Sequence, residues 1–234
     1  MLAIFKRELN AYFDSPLGYV FLAVYDLFAG YFFFNYNLYG NSTDMRSLFD
    51  ILFTVTLFLI PVLTMRLMSE DRKTKTDQLL FMAPVTTFSI VMGKMLAALV
   101  VYLVAMSITL VMASVMSAYA VLEWSVVLGH FIGLFLLGTA LISVGLFISA
   151  LTENQIIAAV GGFSVGFFLM LLDTVGAVIS NSFLAGIVTD MSFQTHYQNF
   201  TLGIFDVSDV IFFLSMTALF TFFTILAFEK RRLD

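Results

Sequence analysis

The sequence predicts an all-α integral membrane protein with six transmembrane helices, an N-terminal interfacial elbow helix, and a further short cytoplasmic helix between the second and third crossings. Three observations predict it. Hydrophobic residues make up 61% of the 234, charged residues only 12%, and the mean hydropathy is +1.00, far from the composition of soluble domains. Six apolar runs, at 17–39, 47–68, 95–118, 126–150, 156–179 and 208–228, each approach or exceed the roughly 20 residues a helix needs to cross a bilayer. They lack the in–out alternation of barrel strands. The third observation is charge: ten of the eleven Lys and Arg residues fall on one side of a six-crossing chain.

Residues 1–14 place Ile4, Phe5, Leu9, Tyr12 and Phe13 among Lys6, Arg7, Glu8 and Asp14, the pattern of a helix lying in the membrane interface. Ser15-Pro16 interrupts it, because the residue before a proline is pushed out of the helical region while Pro16 itself suits a first helical turn. An elbow at 1–16 results. The run that follows is too long for a signal-peptide core and no A-x-A cleavage site succeeds it, so it is expected to be retained. The second run begins with Arg46 and Asp50, four residues apart, which predicts an i,i+4 ion pair at its outer end.

Lys6 and Arg7 precede the first run, Arg66, Arg72, Lys73, Lys75 and Lys94 surround the second connection, and Lys230, Arg231 and Arg232 follow the last run, with Arg46 alone opposite. The positive-inside bias puts both termini and the 69–94 segment in the cytoplasm, in a multi-pass protein of the inner (plasma) membrane. Between crossings two and three, Ser69 can cap a short helix whose first turn holds Glu70 and Asp71, and Pro84 limits its end. Polar at its start and apolar at its finish, it suits docking into a groove on a soluble partner; equally, it suits a solvated basic loop that only sets topology. The segment 180–207, with Phe183, Leu184, Ile187, Phe193, Tyr197 and Phe200, is too apolar for a free loop and is expected to cap the bundle or dip into the outer leaflet.

Several chemistries are excluded. Without cysteine there are no disulfides or thiolate sites. His130 and His196 lack i,i+3 or i,i+4 partners of a metal pair, so no metal site is expected. Gly93-Lys94 is no phosphate-binding loop, since Phe88 and Met95 stand where that motif needs glycine and Ser or Thr; Lys94 reads as a snorkelling interfacial residue. The intramembrane acids Asp26 and Asp173 are functional candidates by default. Gly162-x-x-x-Gly166 and Gly129-x-x-x-Gly133 permit close helix approach, within one subunit or between two.

In order and spacing, several short patterns resemble the ABC-2 type transporter permeases, in particular their gliding-motility and copper-enzyme-maturation branch. They are the acidic-aromatic stretch from Glu8 to Pro16; the acid pair followed by basic residues, Thr, Leu-Leu and Pro (Glu70, Asp71, Arg72, Lys73, Thr76, Leu79, Leu80, Pro84); Gly93-Lys94; the Ser149 to Gln155 turn; and His196, Tyr197, Phe200, Gly203, Asp206 and Asp209. Lys75 departs from the pattern, standing where such permeases usually have glycine. The resemblance implies one transmembrane domain over 1–234, a coupling helix at 69–84 with Phe81 among its apolar anchors, and no catalytic residue or cofactor on this chain. It further implies a second permease copy or homologous permease, and two copies of a separate nucleotide-binding ATPase subunit that carries ATP and Mg. An extracytoplasmic accessory protein and membrane lipid are further expected partners; nucleic acid is not. It tilts the fifth crossing, with Gly162, Gly166 and Asp173, toward the translocation path or dimer interface, while Asp26, where the family has no motif, is a candidate for the same path only as an acid deep in the membrane. Two functions from different classes follow: the permease subunit of an ATP-driven exporter, or a self-sufficient ion- or proton-coupled carrier or channel using Asp26 and Asp173.

Overall fold

The computed structural model describes residues 1–77, 82 and 85–233, and every regular element among them is helical. Helix α1 (Leu2–Asp14) ends at Ser15, whose extended backbone (φ −105°, ψ 156°) turns the chain into α2 (Pro16–Phe33), with Pro16 at the first helical position. A π-helical stretch, Phe34–Tyr39, extends α2. There follow α3 (Arg46–Thr64), the short α4 (Ser69–Lys73), α5 (Thr87–Met106), α6 (Ile108–Tyr119) and α7 (Trp124–Leu151). The chain continues through α8 (Gln155–Val178), α9 (Ser182–Thr189), α10 (Phe193–Thr201) and α11 (Val207–Leu233). Six of the helical segments are long and apolar enough to cross a membrane, making this a multi-pass membrane protein.

Helix α7 is the centre of the bundle, packed against α3, α5, α8, α10 and α11. Its glycines let neighbours in. A methyl group on Gly133 would come within 3.0 Å of the Phe200 and Tyr197 rings, so the Gly129–Gly133 face is a seat for α10 of the same chain. Gly162 and Gly166 of α8 likewise face Pro61 and Leu141 of the same chain, with Gly166 near Leu57. Buried tyrosines stitch helices together where side-chain packing alone would leave a hydroxyl unpaired: Tyr12 donates to the Leu63 carbonyl and Tyr102 to the Leu134 carbonyl, both at 2.8 Å. Burial pushes the Tyr12 phenol well up, so it remains a donor. The outward faces of α2, α8 and α11 expose Leu27, Tyr31, Val160, Phe168, Ile211 and Leu214, which is the surface expected when the surrounding solvent is lipid.

Three local expectations are corrected. The third long helix begins at Thr87, not 95, because Thr86 caps it by accepting from the Ser89 N–H (3.3 Å), and its first two turns pack on α1 rather than on lipid. Ser69 is not the cap of α4; its hydroxyl bonds back to the Met65 carbonyl. Finally, Arg46 does not pair with Asp50. It lies against Asp44 (3.8 Å), whose carboxylate also accepts the Arg46 backbone N–H at 2.9 Å, a two-residue capping turn that outcompetes a longer side-chain reach.

Candidate functional site

The most concentrated polar structure lies at the end of the bundle that carries both termini. Its centre is Lys94, two turns into α5, whose side chain is only 1% exposed. Gly93 beside it makes room for α1: a methyl group there would lie 3.1 Å from the Ile4 side chain. With α1 so close, Glu8 reaches Lys94 Nζ at 3.0 Å, Asp71 of α4 reaches it at 2.7 Å, and the Leu67 carbonyl at 2.5 Å. Three ammonium protons meet three acceptors, which satisfies the lysine completely. Arg7 closes the group from its solvent side, 2.5 Å from Glu8 and 3.5 Å from Asp71, and the Thr76 hydroxyl donates to Asp71 at 2.9 Å. Two cations and two carboxylates leave no net charge, which is the condition under which burial of such groups is tolerated. Lys94 is thus a buried keystone rather than a snorkelling residue; its ammonium finds carboxylates inside the protein and has no need to reach the interface.

Helix α4 is held from other sides too. The Ser149 hydroxyl of α7 accepts the Met68 and Ser69 N–H groups at 3.1 and 3.0 Å and donates to the Met65 carbonyl at 3.0 Å, so the cap for α4 comes from a different helix. Arg72 pairs with Glu153 in the turn after α7 (3.0 Å) and reaches the Ala150 carbonyl at 3.4 Å. Arg66 bonds Glu70 at 2.9 Å and the Ser15 hydroxyl at 2.7 Å, and lies over the Tyr12 ring. Beyond the turn at Thr74–Thr76, Asp77 meets Arg231 of α11 at 3.1 Å. Lys75 holds φ +57°, the left-handed conformation that glycine adopts without strain, so the turn keeps the backbone a glycine would give it.

Of the residues expected to contact a partner, the structure therefore places Asp71 and Thr76 in the Lys94 cluster, Glu70 on Arg66 and Arg72 on Glu153, three contact groups around α4, with Lys73 exposed beside them. Leu79, Leu80, Phe81 and Pro84 lie outside the described residues. Glu8, Ser149, Glu153 and Arg231 were visible in sequence only as parts of short patterns or of the charge asymmetry. Their roles come from neighbours far along the chain.

The intramembrane acids are not brought together. Asp26 on α2 has a buried Oδ1 with no hydrogen-bond partner, while Asp173 on α8 accepts the Thr174 N–H at 2.7 Å. At the opposite end of the bundle, Asp209 in the first turn of α11 accepts from Asn199 (2.8 Å) and meets His196 Nδ1 (2.6 Å), whose other ring nitrogen faces the Asp190 carbonyl at 2.9 Å. This triad fastens α10 to α11. Among the described residues no group of His, Asp and Glu has the arrangement of a metal site.

In comparisons with known proteins, no curated protein matches this chain. The family model described as ABC-2 type transporter matches residues 1–184 of the 234, spanning α1 to α8 and with them the whole ion-paired hub except Arg231. The chain belongs to the ABC-2 type transporter family, whose membrane domain is the transmembrane, non-catalytic part of a transporter and generally works with an ATPase subunit.

Proposed function

We propose that this chain is the permease subunit of an ATP-driven exporter, with the 69–84 segment as coupling helix, α1 as interfacial elbow and both termini in the cytoplasm. The observation that carries the reading is the hub around α4. One short segment is tied by buried or half-buried polar contacts to α1, α5, α7 and α11. A push on it from a soluble subunit would be shared among four helices, which is what transmission of a stroke into a bundle requires. In this reading ATP and Mg are held by two copies of the partner ATPase, and a second permease copy or a homologue completes the path. The exposed side of α8, next to Asp173, and the Asp26 side of α2 are the surfaces offered to that copy or to the cargo. Gly162 and Gly166 set the position of α8 from behind, against α3 and α7.

Leu79, Leu80 and Phe81 supply the apolar anchors, and Glu70, Asp71, Arg72 and Lys73 the charged rim; anchors carry most binding energy and rim charges mainly tune rate and salt dependence. Leu79→Asp combined with Leu80→Asp should release the ATPase during mild detergent co-purification while the permease stays monodisperse. Retention of a stoichiometric ATPase and of ATP-dependent activity would remove the coupling assignment. A second reading, a self-sufficient carrier, draws on the unpartnered Asp26 Oδ1; it would take precedence if no ATPase co-purified with the unaltered chain and Asp26→Asn abolished transport.

A further inference from the structure

Asp50, near the end of the bundle opposite the termini, has a carboxylate with no ion-pair or hydrogen-bond partner among the described residues, as do the exposed Glu123 and Asp190, but it alone of these borders a cavity with polar walls on three helices. It stands one turn into α3, and the arginine that could have neutralised it is engaged by Asp44. The carboxylate borders a cavity of about 340 Å³ between α3, α8 and α10, lined also by Thr54, Gln194, Gln198, Thr201 and Tyr197. Within this lining Asp50 carries the only formal charge. The Thr201 hydroxyl spends its proton on the Gln198 carbonyl at 2.6 Å, leaving its lone pairs free, and the Tyr197 hydroxyl is turned to His130 at 3.4 Å. His196, the other titratable side chain of α10, is turned away to Asp209 and Asp190. The cavity therefore sets acceptor oxygens beside a single negative charge, with an aromatic wall able to favour a cation.

From this we infer that the cavity is a binding site for a primary ammonium group, whose N–H donors match the Asp50 carboxylate and the Thr201 hydroxyl oxygen. A volume of this size admits a small amine or the ammonium end of a larger molecule. The ammonium belongs either to a soluble amine or to a phospholipid headgroup such as phosphatidylethanolamine. The site needs no ATPase to exist, so its test uses the purified permease alone and its failure would leave the exporter reading standing.

The chain has no native cysteine, so Gln198→Cys and, separately, Thr54→Cys give single reporters in the cavity. Phe183→Cys, on the exposed α9, gives a reference. Modification rates are measured in detergent with a cationic trimethylammonium-ethyl and an anionic sulfonatoethyl methanethiosulfonate. The cationic-to-anionic ratio at a cavity position should exceed that at residue 183 by about tenfold or more, since a cleft of one sign raises local counter-ion concentration by that order. Asp50→Asn should return it to the reference value. Ethylammonium chloride should slow the cationic reagent saturably where sodium chloride of equal ionic strength does not. In nanodiscs, protection by phosphatidylethanolamine but not phosphatidylglycerol would assign the ammonium to lipid, and protection by soluble amine alone would assign it to a soluble ligand. A ratio equal to the reference, a ratio unmoved by Asp50→Asn, equal protection by sodium chloride, or no modification at either cavity position in folded protein would overturn the inference.

Discussion

Replacing Lys94 by methionine removes one charge and leaves the volume nearly unchanged, which isolates the electrostatic part of the hub. Glu8 then keeps only Arg7, at 2.5 Å, and Asp71 keeps Arg7 at 3.5 Å and the Thr76 hydroxyl at 2.9 Å. Arg7 is 47% exposed and cannot replace a fully enclosed ammonium. Removing one member of a buried ionic group costs about 3–5 kcal/mol, because the partners stay buried and uncompensated. The Leu67 carbonyl also loses its lysine donor, a loss of about 1–3 kcal/mol where no water replaces it. Lys94→Met should therefore destabilise by about 3–5 kcal/mol, a large share of the roughly 5–15 kcal/mol typical of a folded domain. Lys94→Arg should not rescue it, since the Leu67 carbonyl and both carboxylates already crowd the ammonium. The triple change Glu8→Gln, Asp71→Asn, Lys94→Met should recover most of the loss, as neutral replacements of buried ion clusters do. Thermal unfolding followed by fluorescence-detected size-exclusion chromatography measures all three. If Lys94→Met lowered the stability by less than about 1 kcal/mol, the value of an exposed pair, or if the triple variant were less stable than the single one, the hub would not be held by charge.

Ser149→Ala should cost about 1–2 kcal/mol, the worth of a helix cap, and should raise amide exchange at Met68 and Ser69 before it changes exchange in α7; unchanged exchange there would remove the capping role. Lys75→Gly should stabilise by about 1 kcal/mol through release of a left-handed backbone, raising the unfolding temperature without affecting insertion. For orientation, Thr74→Cys should be protected from an impermeant thiol reagent in intact cells while Val121→Cys, at the opposite end and almost fully exposed, reacts; the converse labelling would invert the topology.

Hydropathy alone located the long helices, because lipid selects length and apolarity directly and nearly every crossing lies within a few residues of its apolar run. The exception is instructive. Lys94 cut the third run short at residue 95, although the helix starts at Thr87, because a charge that is satisfied by Glu8 and Asp71 looks, in one dimension, like a charge that must face water. The same limit hid the cap of α4: Ser69 has the right residue type and place, yet the oxygen that serves belongs to Ser149, eighty residues away. The candidate hub was thus legible as a list of charged residues at 66–77 and not as a network. Its contacts depend on α1 and α7 arriving at one place, which no local pattern encodes. Asp50 failed in the opposite direction. Spacing offered Arg46 a partner, and a closer carboxylate took it.

The long sequence separation of the hub also bears on how the protein is made. Glu8 leaves the ribosome 86 residues before Lys94, an interval of roughly 4–17 s at about 5–20 residues per second. Through that time Glu8 has only Arg7 for its carboxylate, and the N-terminal helix holds to the bundle through Tyr12 on the Leu63 carbonyl and Ser15 on Arg66. The Asp77–Arg231 pair forms later still, once residue 231 has been synthesised. The face carrying both termini is therefore fastened in two late steps, the first when the third crossing enters the membrane and the second only at the end of translation. A nascent chain stalled between them would present an inserted but half-latched intermediate.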